Sequence, residues 1–163
     1  AAAGATVIAV DLEPARLEPL QGRGAAEVIA AGGLSAREVR DRVQDLAASH
    51  GVPRSGWKIF ECSGHPAGQE TAFAMLVTAA TLAVVGFTRE KVALRLSNLM
   101  AYDADAFGTW GCPPHLYPEA VDLVASGKVA VLPFTRKVPM DDVNDALAQA
   151  AAGTDPRRII LVP

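Results

Sequence analysis

Cysteine is scarce: Cys62 and Cys112 are the only two in 163 residues. Two are too few to staple a disulfide scaffold, and they point to a reducing, cytoplasmic compartment. An excess of charge of one sign is also missing. The 15 Lys and Arg are scattered among 18 Asp and Glu, for a formal net charge of −3. A nucleic-acid binder gathers its basic residues into a patch, so nucleic acid is excluded as a partner. No apolar run reaches the roughly 20 residues of a membrane-crossing helix. The longest, Met75 to Phe87, is broken by Thr78 and Thr81 and reads as a helix end feeding a buried strand. Disorder is excluded as well. With 50% apolar and 20% charged residues, the chain can bury the core of one modest domain.

What is present is an alternation. Ala1-Ala2-Ala3-Gly4 reads as the end of a helix, good helix formers closed by a glycine. An ending without a beginning reads as a piece of a longer polypeptide. Val7-Ile8-Ala9-Val10 is a continuous apolar run closed by Asp11, the pattern of a strand buried on both faces. A short helix is predicted around Ala15 to Pro19 and a weak strand over Ala26 to Ala31. Ser35 caps a helix with Val39, Val43 and Leu46 on one stripe. Strands are predicted at Trp57 to Cys62, Thr81 to Gly86 and Ala104 to Trp110, with helices at Gln69 to Thr78 and after Leu96-Ser97-Asn98-Leu99. Tyr117 to Ser126 reads as a helix stopped by Gly127, and Val129 to Phe134 as extended. Met140 to Ala151 reads as a helix capped by Asp141 or Asp142, and Arg158 to Val162 as a closing strand. Strand and helix in steady alternation predict an α/β fold with a mostly parallel sheet.

Open α/β sheets bind ligands at the carboxyl ends of their strands. Asp11 is the sharpest residue there. An acid at the tip of the second strand of a dinucleotide fold accepts hydrogen bonds from ribose hydroxyls, and its charge repels a 2′-phosphate, favouring NAD over NADP. An Asp before Glu-Pro also starts turns unaided. Arg16 either reaches the same ribose or adenine edge or pairs with Glu13 or Glu18. The glycine-rich turn expected upstream of Asp11 is missing, because the first ten residues hold only Gly4. Gly64 and Gly68 follow a strand and precede a helix. Without a following Lys-Ser/Thr, and with Pro66 removing an amide donor, a plain strand-to-helix turn is the better reading. His50, His65 and His115 build no recognised ligand set with Cys62 and Cys112, and no Ser sits in a nucleophile elbow.

Taken in order, Val7 to Asp11 with Arg16, Glu61-Cys62-Ser63-Gly64, Ala83-Val84-Val85-Gly86-Phe87, Gly108-Thr109-Trp110-Gly111, the run Pro133 to Leu147 and the tail Ile159-Ile160-Leu161 resemble the medium-chain, zinc-type alcohol dehydrogenases. The resemblance covers essentially the whole chain, but only the C-terminal half of a family member. It implies a Rossmann-type sheet lacking its first strand and glycine turn, over residues 1–131, and a segment returning to the catalytic domain, over residues 132–163. Asp11 and Arg16 match the family's adenosine-ribose contacts, and Arg158 matches a pyrophosphate contact. Arg158 also reads as a surface cation beside Asp155. The carbonyl of Val85 and main-chain groups of Thr109 and Gly111 match the places that hold the nicotinamide carboxamide. Trp57 to Gly64, Ala80 to Thr88, Arg95 to Met100 and Trp110 to Cys112 resemble the branch acting on 6-hydroxycyclohex-1-ene-1-carbonyl-CoA.

The resemblance thus implies an NAD-dependent oxidation of that secondary alcohol in anaerobic benzoyl-CoA breakdown, with a small CoA thioester as partner. Family members commonly pair into homo-oligomers, and Ala104 to Trp110 is an edge available for that. Zinc is implied, with its ligands, the glycine turn and the proton relay upstream of residue 1. By itself this chain is therefore expected to be inactive and a poor NAD binder. The rivals are another alcohol or polyol dehydrogenase, a Rossmann-like methyltransferase with an acid at the same strand tip, and a non-catalytic binding fragment.

Overall fold

A computed structural model describes residues 1–153 and 155–163. In chain order the elements are β1 (Ile8–Asp11), α1 (Pro14–Leu17), β2 (Glu27–Ala30), α2 (Ala36–Ser49), β3 (Lys58–Glu61), α3 (Pro66–Ala74), β4 (Thr81–Val84), α4 (Ser97–Ala101), β5 (Asp105–Gly108), α5 (Tyr117–Ala125), β6 (Thr135–Pro139), α6 (Val143–Ala152) and β7 (Arg158–Val162). Every strand pairing between them is parallel: β1 with β2, β4 between β3 and β5, and β6 with β7. The expected α/β class, a partial Rossmann-type domain, is what the chain forms.

The chain divides into two compact units, Ala1–Ala30 with His115–Pro163, and Ala31–Pro114. In the first, the β1–α1–β2 crossover sets Ile8 opposite Glu27 and Asp11 opposite Ala30, so Asp11 stands at the carboxyl end of the pair. Leu17 and Ile29 are buried, and near the other end of the chain Val138 of β6 and Ala146 of α6 are too. β6 and β7 run in register from Thr135 opposite Arg158 to Pro139 opposite Val162.

In the second unit, α3 and the turn after it deliver Ala72, Phe73, Leu76 and Val77 onto Ala80 and Leu82, with Trp57, Ile59, Val84, Leu99, Tyr102 and Ala104 around them. Leu76 is wholly buried. The α2 stripe read from sequence holds at Val39 and Val43, which are buried, but Leu46 is only partly buried and Ala47 is the third buried residue of the helix. Its start is a capping box: the Glu38 backbone N–H donates to Ser35 Oγ, and the Ser35 N–H donates to the Glu38 carboxylate at 2.8 Å.

Four local expectations change. Ala1 to Gly4 is a single turn, closed by the Gly4 N–H on the Ala1 carbonyl at 2.8 Å with Gly4 at φ 83°; it is not helix. α3 begins at Pro66, earlier than Gln69, because a proline at the first helical position has no amide to lose and His65 Nδ1 accepts the Ala67 N–H. The strand near residue 130 is displaced: Leu132–Phe134 is a 3-10 turn and the extended segment is Thr135–Pro139. Met140–Asp142 is also a 3-10 turn, and neither Asp141 nor Asp142 caps α6 through its side chain.

Candidate functional site

In the first unit, Asp11 closes β1 with its side chain about a third exposed. Oδ1 accepts the Glu13 N–H at 2.9 Å, so the turn-starting role of this Asp is real. Oδ2 lies 3.9 Å from Arg16 Nη1, so Arg16 pairs with Asp11, and Glu13 and Glu18 are not its partners. The reason is geometric: α1 opens at Pro14 and turns Arg16 back over the strand tip. The result is an acid at the carboxyl end of a parallel strand, with one oxygen tied into the turn and one facing a partly exposed guanidinium. Such a carboxylate can accept from a diol.

Arg158 opens β7 opposite Thr135. No hydrogen bond or ion pair joins it to Asp11 or Arg16 among the described residues. Nor is it the partner of Asp155, which is taken by Arg136 Nε at 2.8 Å and by Arg157. Those hydrogen bonds, Arg157 first, hold the Asp155 carboxyl well below the ordinary range.

In the second unit, Val85, Thr109 and Gly111 come together at the carboxyl ends of β4 and β5. The register sets Val84 opposite Gly108, and the Thr109 N–H donates to the Val84 carbonyl at 3.1 Å. The Thr109 hydroxyl donates to the Gly111 carbonyl at 3.3 Å, closing a small loop. Phe87 and Trp110 stand edge to face beside it, ring centres 6.1 Å apart, and both are exposed. These are main-chain groups and aromatic faces, suited to orienting a flat amide-bearing ring.

One residue of this unit was overlooked in the sequence. Glu61, at the end of β3, is 3% exposed, the one buried charged side chain among the described residues. Its Oε1 accepts from the Ser63 N–H at 2.7 Å, from the Ser63 hydroxyl and from the Gly64 N–H at 3.2 Å. Oε2 is buried with no partner among the described residues. An acid closing an apolar strand just before a Ser-Gly turn was the available signal. Ser63-Gly64-His65 is otherwise the plain strand-to-helix turn expected, with Gly64 at φ 64°. Cys62 is exposed, yet desolvation by its neighbours, and then the Glu61 charge, push its thiol up, away from nucleophilic use.

The residues present do not fit zinc. Among those described, no group of three or more His, Cys, Asp and Glu could hold a metal ion. His65 Nδ1 is occupied as a helix cap, and Cys112 leans on the Pro113 carbonyl. Among the described residues, no helix is long and apolar enough to cross a membrane.

The comparisons with known proteins bear on the family and the fold. Sorbitol dehydrogenase of Bacillus subtilis is 25% identical over 147 residues, 89% of this chain and 39% of that protein. The alcohol dehydrogenase of the archaeon Aeropyrum pernix superposes with a TM-score of 0.81 at 23% identity, over 98% of this chain and 43% of its own. An alcohol dehydrogenase of E. coli CFT073, solved with its cofactor NADH, gives 0.74 at 18% identity, over 97% of this chain and 44% of its own. At such identities these structures speak for the fold. The chain spans about two fifths of the length of the relatives it matches. The family described as zinc-binding dehydrogenase matches residues 1–126, most of the sequence, and the chain belongs to that family.

Proposed function

We propose that the protein is an NAD-dependent, medium-chain alcohol dehydrogenase, with residues 1–131 as part of its NAD-binding domain and residues 132–163 as the segment returning to its catalytic domain. The observation that carries this reading is Asp11, an acid at the carboxyl tip of a parallel strand with Oδ2 outside the turn's own hydrogen bonding. NAD, when bound, supplies the hydride acceptor. The residues of this chain bind and orient it. Asp11 accepts from the adenosine ribose hydroxyls and repels a 2′-phosphate. Arg16 lies along the same ribose, and Arg158 meets the pyrophosphate. In the second unit the Val85 carbonyl and main-chain groups of Thr109 and Gly111 hold the nicotinamide carboxamide, fixing which ring face meets the substrate. The NADH in the E. coli neighbour supports the choice of cofactor. Cytoplasmic location and a homo-oligomeric state belong to the same proposal.

The substrate we assign is the secondary alcohol of 6-hydroxycyclohex-1-ene-1-carbonyl-CoA, oxidised to the ketone. The supporting residues are Trp57 to Gly64 and Arg95 to Met100. Another alcohol or a polyol is the second reading, favoured by the likeness to sorbitol dehydrogenase. An NADH-formation assay of the complete protein with the thioester and with sorbitol separates them: turnover of sorbitol without turnover of the thioester overturns our assignment. The cofactor reading is tested by Asp11→Asn. Loss of the charge-assisted ribose bonds is expected to weaken NAD by about tenfold, while loss of the repulsion of the 2′-phosphate strengthens NADP. Equal affinities for NAD in the two proteins would remove Asp11 from the site.

A further inference from the structure

Glu61 places an unpaired, buried carboxylate oxygen where it gains no bond. Such an atom costs stability, so its position calls for a reason other than stability. The surroundings supply one. The register puts Glu61 opposite Val84, and the Glu61 carbonyl accepts the N–H groups of both Val85 and Gly86, at 2.8 and 2.9 Å. Its side chain draws in Ser63 and Gly64 from the other direction. One residue therefore grips both turns through its main chain and its carboxylate.

The glycines show how closely the two turns meet. A Cβ on Gly86 would lie 2.1 Å from the Gly64 nitrogen and 2.6 Å from Glu61 Oε2. A Cβ on Gly64 would lie 2.5 Å from the Phe87 carbonyl oxygen, and one on Gly68 would lie 2.1 Å from Ser63 Oγ. Gln69 Nε2 of α3 donates to the Gly86 carbonyl at 3.4 Å. The peptide after Val85 is thus fixed from β3, from the 63–64 turn and from α3, and the unpaired oxygen lies on the side of Gly86 that a Cβ would fill.

We propose that Glu61 is a positioning residue: it sets the direction of the Val85 carbonyl, and through it the grip on the nicotinamide end of the cofactor. This rests on the reading of Val85 as a carboxamide contact. Glu61 does not itself touch the cofactor.

The test compares NAD with ADP-ribose, which lacks only the nicotinamide, by calorimetric titration of the complete purified protein and its Glu61→Gln variant. An amide there either buries donors against Gly86 or turns them on the Ser63 and Gly64 N–H groups, and the Val85 peptide must shift. NAD is expected to weaken about tenfold and ADP-ribose less than about twofold, the loss of one well-aimed hydrogen bond. Ser63→Ala, which removes a single donor to Oε1, is expected to shift the same ratio by about threefold and decides the matter if Glu61→Gln does not fold. Equal weakening of both ligands, or no change in either, overturns the inference, since a merely structural residue moves the two together. Failure of the complete, unsubstituted protein to bind NAD overturns the cofactor reading itself, and the inference falls with it.

Discussion

At the residue scale, the informative positions are those where a side chain or a missing one controls a close approach. Gly86→Ala is expected to destabilise the protein by about 1–3 kcal/mol, because its Cβ would meet main-chain atoms that cannot rotate away. Gly111→Ala, where nothing lies within 4 Å, is expected to change stability by less than about 0.5 kcal/mol. Urea titration of the two variants checks the contrast. Asp155 gives a pH signature. A carboxyl depressed by folding adds stability above its unfolded pKa of about 3.9, and that stability is lost as pH falls through the lower folded value. The Tm advantage of the protein over Asp155→Asn is therefore expected to be full at neutral pH and to shrink below about pH 4. A gap that stays constant down to pH 2 would exclude this ion-pair role. Asp11 was legible in the sequence because strand-tip acids follow from local pattern alone. Its pairing with Arg16 was not, since Glu13 and Glu18 are as near in the chain and only the direction of α1 chooses among them.

The start of α2 was legible because a hydroxyl marks it, whereas the His65 cap of α3 was not. Ser35 announces α2, and Ser35→Ala is expected to cost about 1 kcal/mol, read as a lowered urea midpoint at unchanged slope, because one hydroxyl serves both the Glu38 amide and its carboxylate. Elements that start from backbone geometry were misplaced. β6 has no capping residue, and its register against β7 begins at Thr135, where the 3-10 turn over Leu132–Phe134 ends. Local composition there is apolar enough to be extended, so the position of the strand is decided by its partner.

At the scale of the whole molecule, order concentrates in β4, hydrogen-bonded on both sides and carrying buried Leu82 and Ala83. All four residues of β5 are exposed. Native-state hydrogen exchange of the second unit is expected to be slowest over Thr81–Val84 and markedly faster over Asp105–Gly108; comparable protection would contradict the placement of the core. Leu76→Ala empties the centre of that core and is expected to cost about 2–5 kcal/mol by chemical denaturation. β1 and β3 each have one strand partner among the described residues, so each carries an edge whose amides and carbonyls stay unpaired by the sheet.

The sequence by itself determined the alternation of strands and helices, the parallel class and the acid at the first strand's tip. These depend on periodicity and on neighbours a few residues away. Tertiary structure alone decided that Glu61 is buried, that Gly64 and Gly86 touch, and that Arg136 reaches Asp155. Each joins groups that the strand registers and the connecting turns bring face to face. A shift of one residue in β3 against β4 would have set a different side chain beside Gly86.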